Sequence, residues 1–100
     1  MSELLERESQ VVIRPAGDLM ASTVEGLKAQ LMGSLEAGGS RIVIDLCCVQ
    51  RIDAVALGVL VAAANRLGQS GGSLVISNAS EAIARMLKVM RLDRVFRIED

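Results

Sequence analysis

Three short apolar runs alternate along this chain with longer segments in which apolar residues recur at helical spacing. The runs cover residues 11–16, 41–46 and 73–77. A strand–helix–strand order requires crossover connections, which place successive strands side by side in parallel and cover the sheet with helices. Ile42, Val43 and Ile44 follow one another, as in a strand that is buried on both faces. We therefore predict an α/β fold over residues 1–100, with a mixed, mostly parallel sheet of four to five strands packed with three to four helices.

Local signals predict where further elements begin. Residues 4–9 are expected to form a strand beside the first run. Ser22 and Glu25 have the spacing of a capping box, which predicts that the first helix begins there. Asp53 can accept hydrogen bonds from the free amides of a second helix, which we expect over about residues 54–67.

The composition excludes several functional classes. Lys and Arg total 11 against 12 Asp and Glu, and this net charge of -1 provides no basic surface for nucleic acid. Phe96 is the one aromatic residue, so nucleic-acid bases have no aromatic platform on which to stack. The chain has no histidine, which removes the commonest general base and the commonest metal ligand. We therefore expect no enzymatic activity, no catalytic residues, no metal site, no cofactor and no nucleic-acid partner.

The longest uncharged apolar run, residues 54–64, has about half the length that a membrane-spanning helix needs. The first ten residues mix acidic side chains with leucines and lack the cationic start and apolar centre of a secretory signal. We therefore expect no direct insertion into a membrane and a cytoplasmic location.

Cys47 and Cys48 are adjacent and are the two cysteines of the chain. They are too few for a structural zinc site or a disulfide framework. One interpretation is that they act as small apolar residues at the end of a strand. The other is a vicinal disulfide or a redox sensor, which the strain of bridging neighbouring residues and a reducing cytosol both disfavour.

Residues 54–64 are apolar around the whole circumference of the predicted helix, whereas a helix on a sheet normally has a polar outer face. A domain of 100 residues cannot easily surround one of its helices, so we expect part of this surface to stay exposed and to bind a partner protein. The alternative is that the sheet and a neighbouring helix enclose it. Gly58 lies inside the segment and indicates close approach of another backbone, either internal or from a partner.

Three stretches of the chain share motifs with a known family. They are Gly17-Asp18-Leu19, then Ile44-Asp45-Leu46 through Ile52-Asp53-Ala54-Val55-Ala56-Leu57-Gly58-Val59-Leu60, and Gly71-Gly72-Ser73-Leu74 to Leu92-Asp93-Arg94-Val95-Phe96. In this order and at matching spacing, they make residues 11–98 resemble the STAS family, the domain shared by sulfate transporters and bacterial anti-sigma factor antagonists. The resemblance implies a single STAS-like domain.

The resemblance also implies a partner switch, in which an unphosphorylated antagonist binds an anti-sigma factor with a serine-kinase fold and frees the sigma factor. Phosphorylation of a serine at the start of the second helix ends that binding. The family pattern D-S-S-G reads Asp53-Ala54-Val55-Ala56 here, which puts Val55 at the phosphorylated position. Valine has no hydroxyl group, so we expect a protein that stays competent to bind and is regulated by abundance or competition.

The candidate binding surface follows from the same resemblance and from the apolar helix. Its residues are Asp18, Met20, Asp53, Ala54, Val55, Ala56, Leu57, Gly58 and Val59. Met20 stands where the family pattern has aspartate, which makes it a second apolar replacement. Asp18 and Asp53 have either structural roles, in turn geometry and helix capping, or a direct contact with a partner or a nucleotide.

A function of a different class also fits these motifs. The chain is then a structural subunit of a larger assembly, such as a stressosome-like scaffold or an ABC-type transport complex. Apolar residues at positions 20 and 55 suit a permanent interface as well as a regulated one. A homodimer is also left open.

Overall fold

The computed structural model describes residues 2–7, as backbone alone, and residues 10–99. In these residues five strands form one sheet in the order of the sequence. They are β1 Ser2–Arg7, β2 Gln10–Pro15, β3 Arg41–Asp45, β4 Ser73–Ser77 and β5 Arg97–Glu99. β1 pairs antiparallel with β2, and the pairs β2–β3, β3–β4 and β4–β5 are parallel. Residues 8 and 9, the end of the strand predicted over 4–9, lie outside the described residues.

Helices connect the parallel strands. They are α1 Val24–Glu36, α2 Ala54–Gln69 and α3 Glu81–Val89, followed by a short 3-10 segment at Leu92–Arg94. α1 connects β2 to β3, α2 connects β3 to β4, and α3 with the 3-10 segment connects β4 to β5. The predicted α/β fold with a mixed, mostly parallel sheet is therefore confirmed.

The α-helices bury their inner sides against one face of the sheet. That face presents alternate strand residues, among them Ile44 of β3 and Ile76 of β4. These pack in one core with buried leucines of each helix, Leu31, Leu60 and Leu87. Burying a side chain of this size stabilises the fold by about 2 kcal/mol. Because the inner sides of α1 and α2 pack against the sheet, the outer sides of these two helices face the solvent.

The opposite face of the sheet has a small apolar centre bordered by polar contacts between strands. Val43 and Val75 are buried at this centre. Beside them, Arg41 donates from Nε to Oε1 of Gln10 at 3.0 Å and from Nη2 to Oε2 of Glu99 at 3.4 Å. β3 is thus buried on both faces, as its sequence predicts.

The start of α1 differs from the capping box predicted at Ser22 and Glu25. α1 begins at Val24, and Thr23 takes the N-cap position without a side-chain capping hydrogen bond. The Thr23 hydroxyl instead donates to the carbonyl oxygen of Asp18 at 2.9 Å. The capping-box prediction was wrong because a hydroxyl group next to a helix start can bind the preceding turn instead of the helix.

α2 begins as predicted, with Asp53 at the N-cap position, but it continues through Gly68 to Gln69. The chain turns at Gly71, whose φ is +78°. A Cβ atom on the next residue, Gly72, would collide with the carbonyl oxygen of Ser40. The glycine pair is therefore required by the turn into β4 and by its close approach to the β3 side of the sheet.

Candidate partner-binding site

Asp53 joins the start of α2 to the loop that precedes α1. Its Oδ1 accepts a hydrogen bond from the Ala56 amide at 2.9 Å, and its Oδ2 accepts one from the Ala21 amide at 2.7 Å. These hydrogen bonds lower the pKa of the Asp53 carboxyl group, and the bond from Ala56 is the larger cause. Asp53 is therefore ionised at neutral pH, in the form that accepts both amides.

Asp18 joins the loop that precedes α1 to the loop between β3 and α2. Its Oδ1 accepts hydrogen bonds from the amides of Gln50 and Arg51 at 2.9 and 3.1 Å. The neighbouring Leu19 forms an isolated parallel bridge with Ile52. Asp18 and Asp53 thus have the structural roles that the sequence left as one of two alternatives.

Met20 lies half-buried beside the start of α2. Its amide donates to the Thr23 hydroxyl at 3.1 Å. Its side chain lines, with Ile52, Asp53 and Met86, a cavity of about 340 Å³ between the loops and α3. Position 20 therefore adds an apolar wall near the start of α2.

The α2 residues of the predicted surface divide between the outer and the inner side of the helix. The outer side carries Ala54, Val55, Gly58 and Val59. Val55 is 52% exposed and Val59 is half-buried. Ala56 and Leu57 are buried in the core, Leu57 with 7% of its surface exposed, so their place in the predicted binding surface was wrong. The outer side of α2 is apolar and open to solvent.

An apolar groove, the α1–α2 groove, runs between the two helices on this side and has a volume of about 400 Å³. It is lined by Lys28, Leu31, Met32, Leu35, Val55, Gly58, Val59, Ala62, Ala63 and Arg66. The α1 half of this groove was not predicted from the sequence. The sequence feature that indicates the α1 half is Met32, an apolar residue that lies outside the buried stripe of α1 and is 38% exposed.

A buried carboxylate lies at the end of β3, where the loop to α2 begins. Asp45 accepts hydrogen bonds from Nε of Arg14 at 2.9 Å, from Nδ2 of Asn78 at 3.1 Å and from the Cys47 amide at 3.0 Å. Burial acts to raise the pKa of Asp45, but the donors, Asn78 first, together outweigh burial and lower it. Asp45 is therefore an ionised structural anchor for the loop.

Cys47 and Cys48 are free thiols, exposed in the turn after β3, with their Sγ atoms 3.6 Å apart. The hydrogen bond to the Cys48 thiol, partial desolvation and the Asp45 carboxylate raise the pKa of the Cys47 thiol to about 11. The thiolate is the reactive form of cysteine, so Cys47 is a weak nucleophile at neutral pH. The predicted position at a strand end is correct, but the side chains are exposed rather than packed.

In residues 2–7 and 10–99, no helix has the length and apolar character needed to cross a membrane. Among the side chains of residues 10–99, no group of three or more His, Cys, Asp or Glu is placed to hold a metal ion.

Comparison with known proteins gives consistent matches over nearly the whole chain. Residues 3–98 match the model of a family described as "Mlab, STAS domain". A Thermotoga neapolitana protein, named as a homologue of an anti-sigma factor antagonist, is 28% identical over 94 residues, which are 93% of this chain and 83% of that protein.

Solved structures show the same fold. A Thermotoga maritima protein described as an anti-sigma factor antagonist superimposes with a TM-score of 0.91 at 26% identity, covering 99% of this chain and 86% of that one. The Bacillus cell fate determinant SpoIIAA in its phosphorylated form gives a TM-score of 0.78 at 19% identity, covering 100% of this chain and 92% of that one. At the latter identity the similarity is one of fold.

Proposed function

The chain belongs to the STAS domain family, and we propose that it is a non-catalytic regulator that binds an anti-sigma factor with a serine-kinase fold. Its relatives described as anti-sigma factor antagonists support a role in partner switching. In that role, the antagonist binds the anti-sigma factor, and the anti-sigma factor then releases the sigma factor that it had inhibited.

The observation that carries the proposal is the environment of Val55. This valine lies in the first turn of α2 and is 52% exposed, next to the fixed loops that Asp53 joins. Covering an exposed apolar side chain with a partner is favourable by about 1 kcal/mol. Val55 therefore provides an apolar contact held at a rigid position, which favours binding without prior rearrangement.

Val55 also stands at the position that the family resemblance gives to the phosphorylated serine. SpoIIAA, which has the same fold, has been solved in a phosphorylated form. A phosphate group brings about two negative charges, and beside the Asp53 carboxylate it would weaken an apolar interface through desolvation and repulsion. Valine cannot accept a phosphate, so we propose that this protein stays competent to bind and acts through its abundance or by competition.

The test uses the anti-sigma serine kinases encoded in the same genome, each purified and titrated with this protein by calorimetry. We expect one of them to bind, and Val55→Asp to weaken that binding at least about tenfold, because it buries a carboxylate in an apolar interface. Val89→Asp is the matched control, since Val89 is 76% exposed on α3, outside the groove. With labelled ATP, the wild-type protein should take up no phosphate and the Val55→Ser variant should be labelled. Failure of every kinase to bind, or stoichiometric label on the wild-type protein, would contradict the proposal.

The second candidate function is a structural subunit of a larger assembly. The apolar side chains at Met20 and Val55 favour it, because a permanent interface is more apolar than a transient one. It predicts that the protein co-purifies in a large oligomer or with a transporter ATPase and binds no kinase. Affinity purification from the source organism, followed by analytical ultracentrifugation, distinguishes the two functions.

A further inference from the structure

We propose that the α1–α2 groove receives an acidic amphipathic helix of the partner protein. This inference rests on the proposed function, since it requires a protein partner, and it specifies the chemistry of the segment that docks. It adds α1 to a binding surface that the sequence placed on α2 and its flanking loops.

The shape of the groove fits a helix. On α2 its lining residues recur at spacings of three and four from Val55 to Arg66, a distance of about 16 Å or three helical turns. Gly58 lies near the middle, and a Cβ atom added there would meet nothing within 4 Å. The space above Gly58 therefore allows a partner backbone to approach α2 closely.

The apolar character of the groove fits the inner side of an amphipathic helix. Its two walls carry Met32 on α1 and Val55 on α2, which are two of the exposed large apolar side chains of the described chain. Between them, Val59 is only half-buried. Leucine-sized side chains of a docked helix would cover all three, in the manner of helix-in-groove recognition.

The charge of the groove selects an acidic occupant. Lys28 and Arg66 are its charged lining residues, and both are basic. The structure shows no salt bridge for either within residues 10–99, and Arg66 instead lies against the sulfur of Met32, with Nη1 and Sδ 3.9 Å apart. The whole chain has a net charge of -1, so the two cations in the groove do not reflect an overall basic protein. Carboxylates flanking an apolar helix face would pair with these two cations.

A second copy of this chain is a poorer occupant. A two-fold dimer through this groove would bring Lys28 and Arg66 of one copy toward the same cations of the other. The lining residues include no carboxylate to offset that repulsion. The observations therefore favour a different protein that supplies the negative charge.

The test is an NMR titration of the labelled protein with a synthetic helical peptide of about 16 residues, enough to span the groove. The peptide carries leucines at positions i, i+3, i+4 and i+7, glutamates flanking this apolar face and alanines elsewhere to favour the helix, and its twin carries lysines instead of glutamates. We expect the acidic peptide to shift the amide signals of Met32, Gly58 and Ala62, and to bind at least about tenfold more tightly than its twin. Its affinity should fall as salt is raised.

Variants check that the peptide occupies the groove. Lys28→Glu combined with Arg66→Glu, and separately Gly58→Leu, should each reduce the affinity at least about tenfold. The matched controls are Lys88→Glu and Gly68→Leu, at exposed positions outside the groove, and these should bind like the wild-type protein. Equal affinity for both peptides, signals that shift on another face, or no binding at millimolar peptide would overturn the inference.

The same variants separate this inference from the proposed function. Suppose an anti-sigma kinase binds and Val55→Asp weakens it, while the groove variants bind normally. In that case the proposed function stands and the helix-docking inference fails. If the acidic peptide binds in the groove but every kinase fails to bind, the groove assignment stands and the proposed partner is wrong.

Discussion

The Asp53 carboxylate and the Ala21 amide, 32 residues apart in sequence, are joined by a hydrogen bond of 2.7 Å. Because the other oxygen of Asp53 caps α2 through Ala56, one side chain fixes both the start of the helix and the loop beside it. We expect Asp53→Ala to lower the melting temperature, and Asp53→Asn to lower it less, because asparagine keeps one acceptor oxygen. Differential scanning calorimetry measures this, with the exposed Asp93→Ala as control. Equal melting temperatures for the two variants would show that the acceptor oxygen kept by asparagine contributes nothing to stability.

Asp45 predicts how the stability of the fold depends on pH. Its pKa lies below the ordinary value of 3.8 in the folded protein. A carboxyl group with a lowered folded-state pKa stabilises fully above its unfolded pKa, and this contribution is lost as pH falls through the folded value. We therefore expect the free energy of unfolding to fall as pH decreases below about 4, and to fall less steeply in Asp45→Asn. Urea titrations across this pH range test it, and an unchanged slope in the variant would assign the effect to other groups.

The same residue also predicts a cost at neutral pH. Asp45→Ala removes the acceptor of the hydrogen bonds from Arg14, Asn78 and the Cys47 amide. Removing the charged acceptor of these part-buried hydrogen bonds costs roughly 2 kcal/mol, because the Arg14 side chain that loses its partner is itself 36% exposed. Glu81→Ala is the control. Oε1 of Glu81 lies 3.8 Å from Nη2 of Arg85 on the surface, and such exposed ion pairs contribute little to folding stability. Chemical unfolding at pH 7 measures both changes.

Two glycines predict opposite effects of the same substitution. Gly58 lies inside α2 with open space around its missing Cβ, so Gly58→Ala should stabilise the protein by about 1 kcal/mol. A Cβ atom at Gly72 would collide with the backbone oxygen of Ser40, so Gly72→Ala should destabilise the protein by about 2 kcal/mol. Guanidinium unfolding of the two variants checks the signs. A destabilised Gly58→Ala would mean that α2 already packs against another segment at this point.

Substitutions at Leu60 and Val55, which lie on the same helix, should affect folding stability and partner binding separately. Leu60 is 1% exposed in the core, so Leu60→Ala should cost about 3 kcal/mol of folding stability. Val55→Ala should change stability by less than about 0.5 kcal/mol, because the side chain is on the surface, yet it should weaken partner binding. Circular dichroism melts and calorimetric titration measure the two effects. A large loss of stability in Val55→Ala would contradict the exposed position of this residue.

The order of strands and helices was predictable because each element carries its own period. Which residues of α2 face outward was not, since an all-apolar helix has no polar side to give its rotation about its axis. The sequence therefore grouped Ala56 and Leu57 with Val55, and only packing against the sheet separates them. That Lys28 and Met32 line the α1–α2 groove was also not predictable, because a groove between two helices depends on how the helices pack together.

The Cys47 thiol predicts slow chemistry despite its exposure. Its pKa is raised to about 11, first by the hydrogen bond with Cys48 and then by desolvation and the Asp45 carboxylate. At pH 7 almost all of the thiol is protonated, so alkylation by iodoacetamide should be much slower than for an ordinary exposed cysteine. Cys48→Ala removes the first cause and should accelerate the modification of Cys47, as followed by mass spectrometry of the peptide that contains it. Rapid labelling of Cys47 in the wild-type protein at neutral pH would contradict this prediction, because it would show that the thiolate is stabilised. That result would favour the redox-sensor interpretation of the cysteine pair.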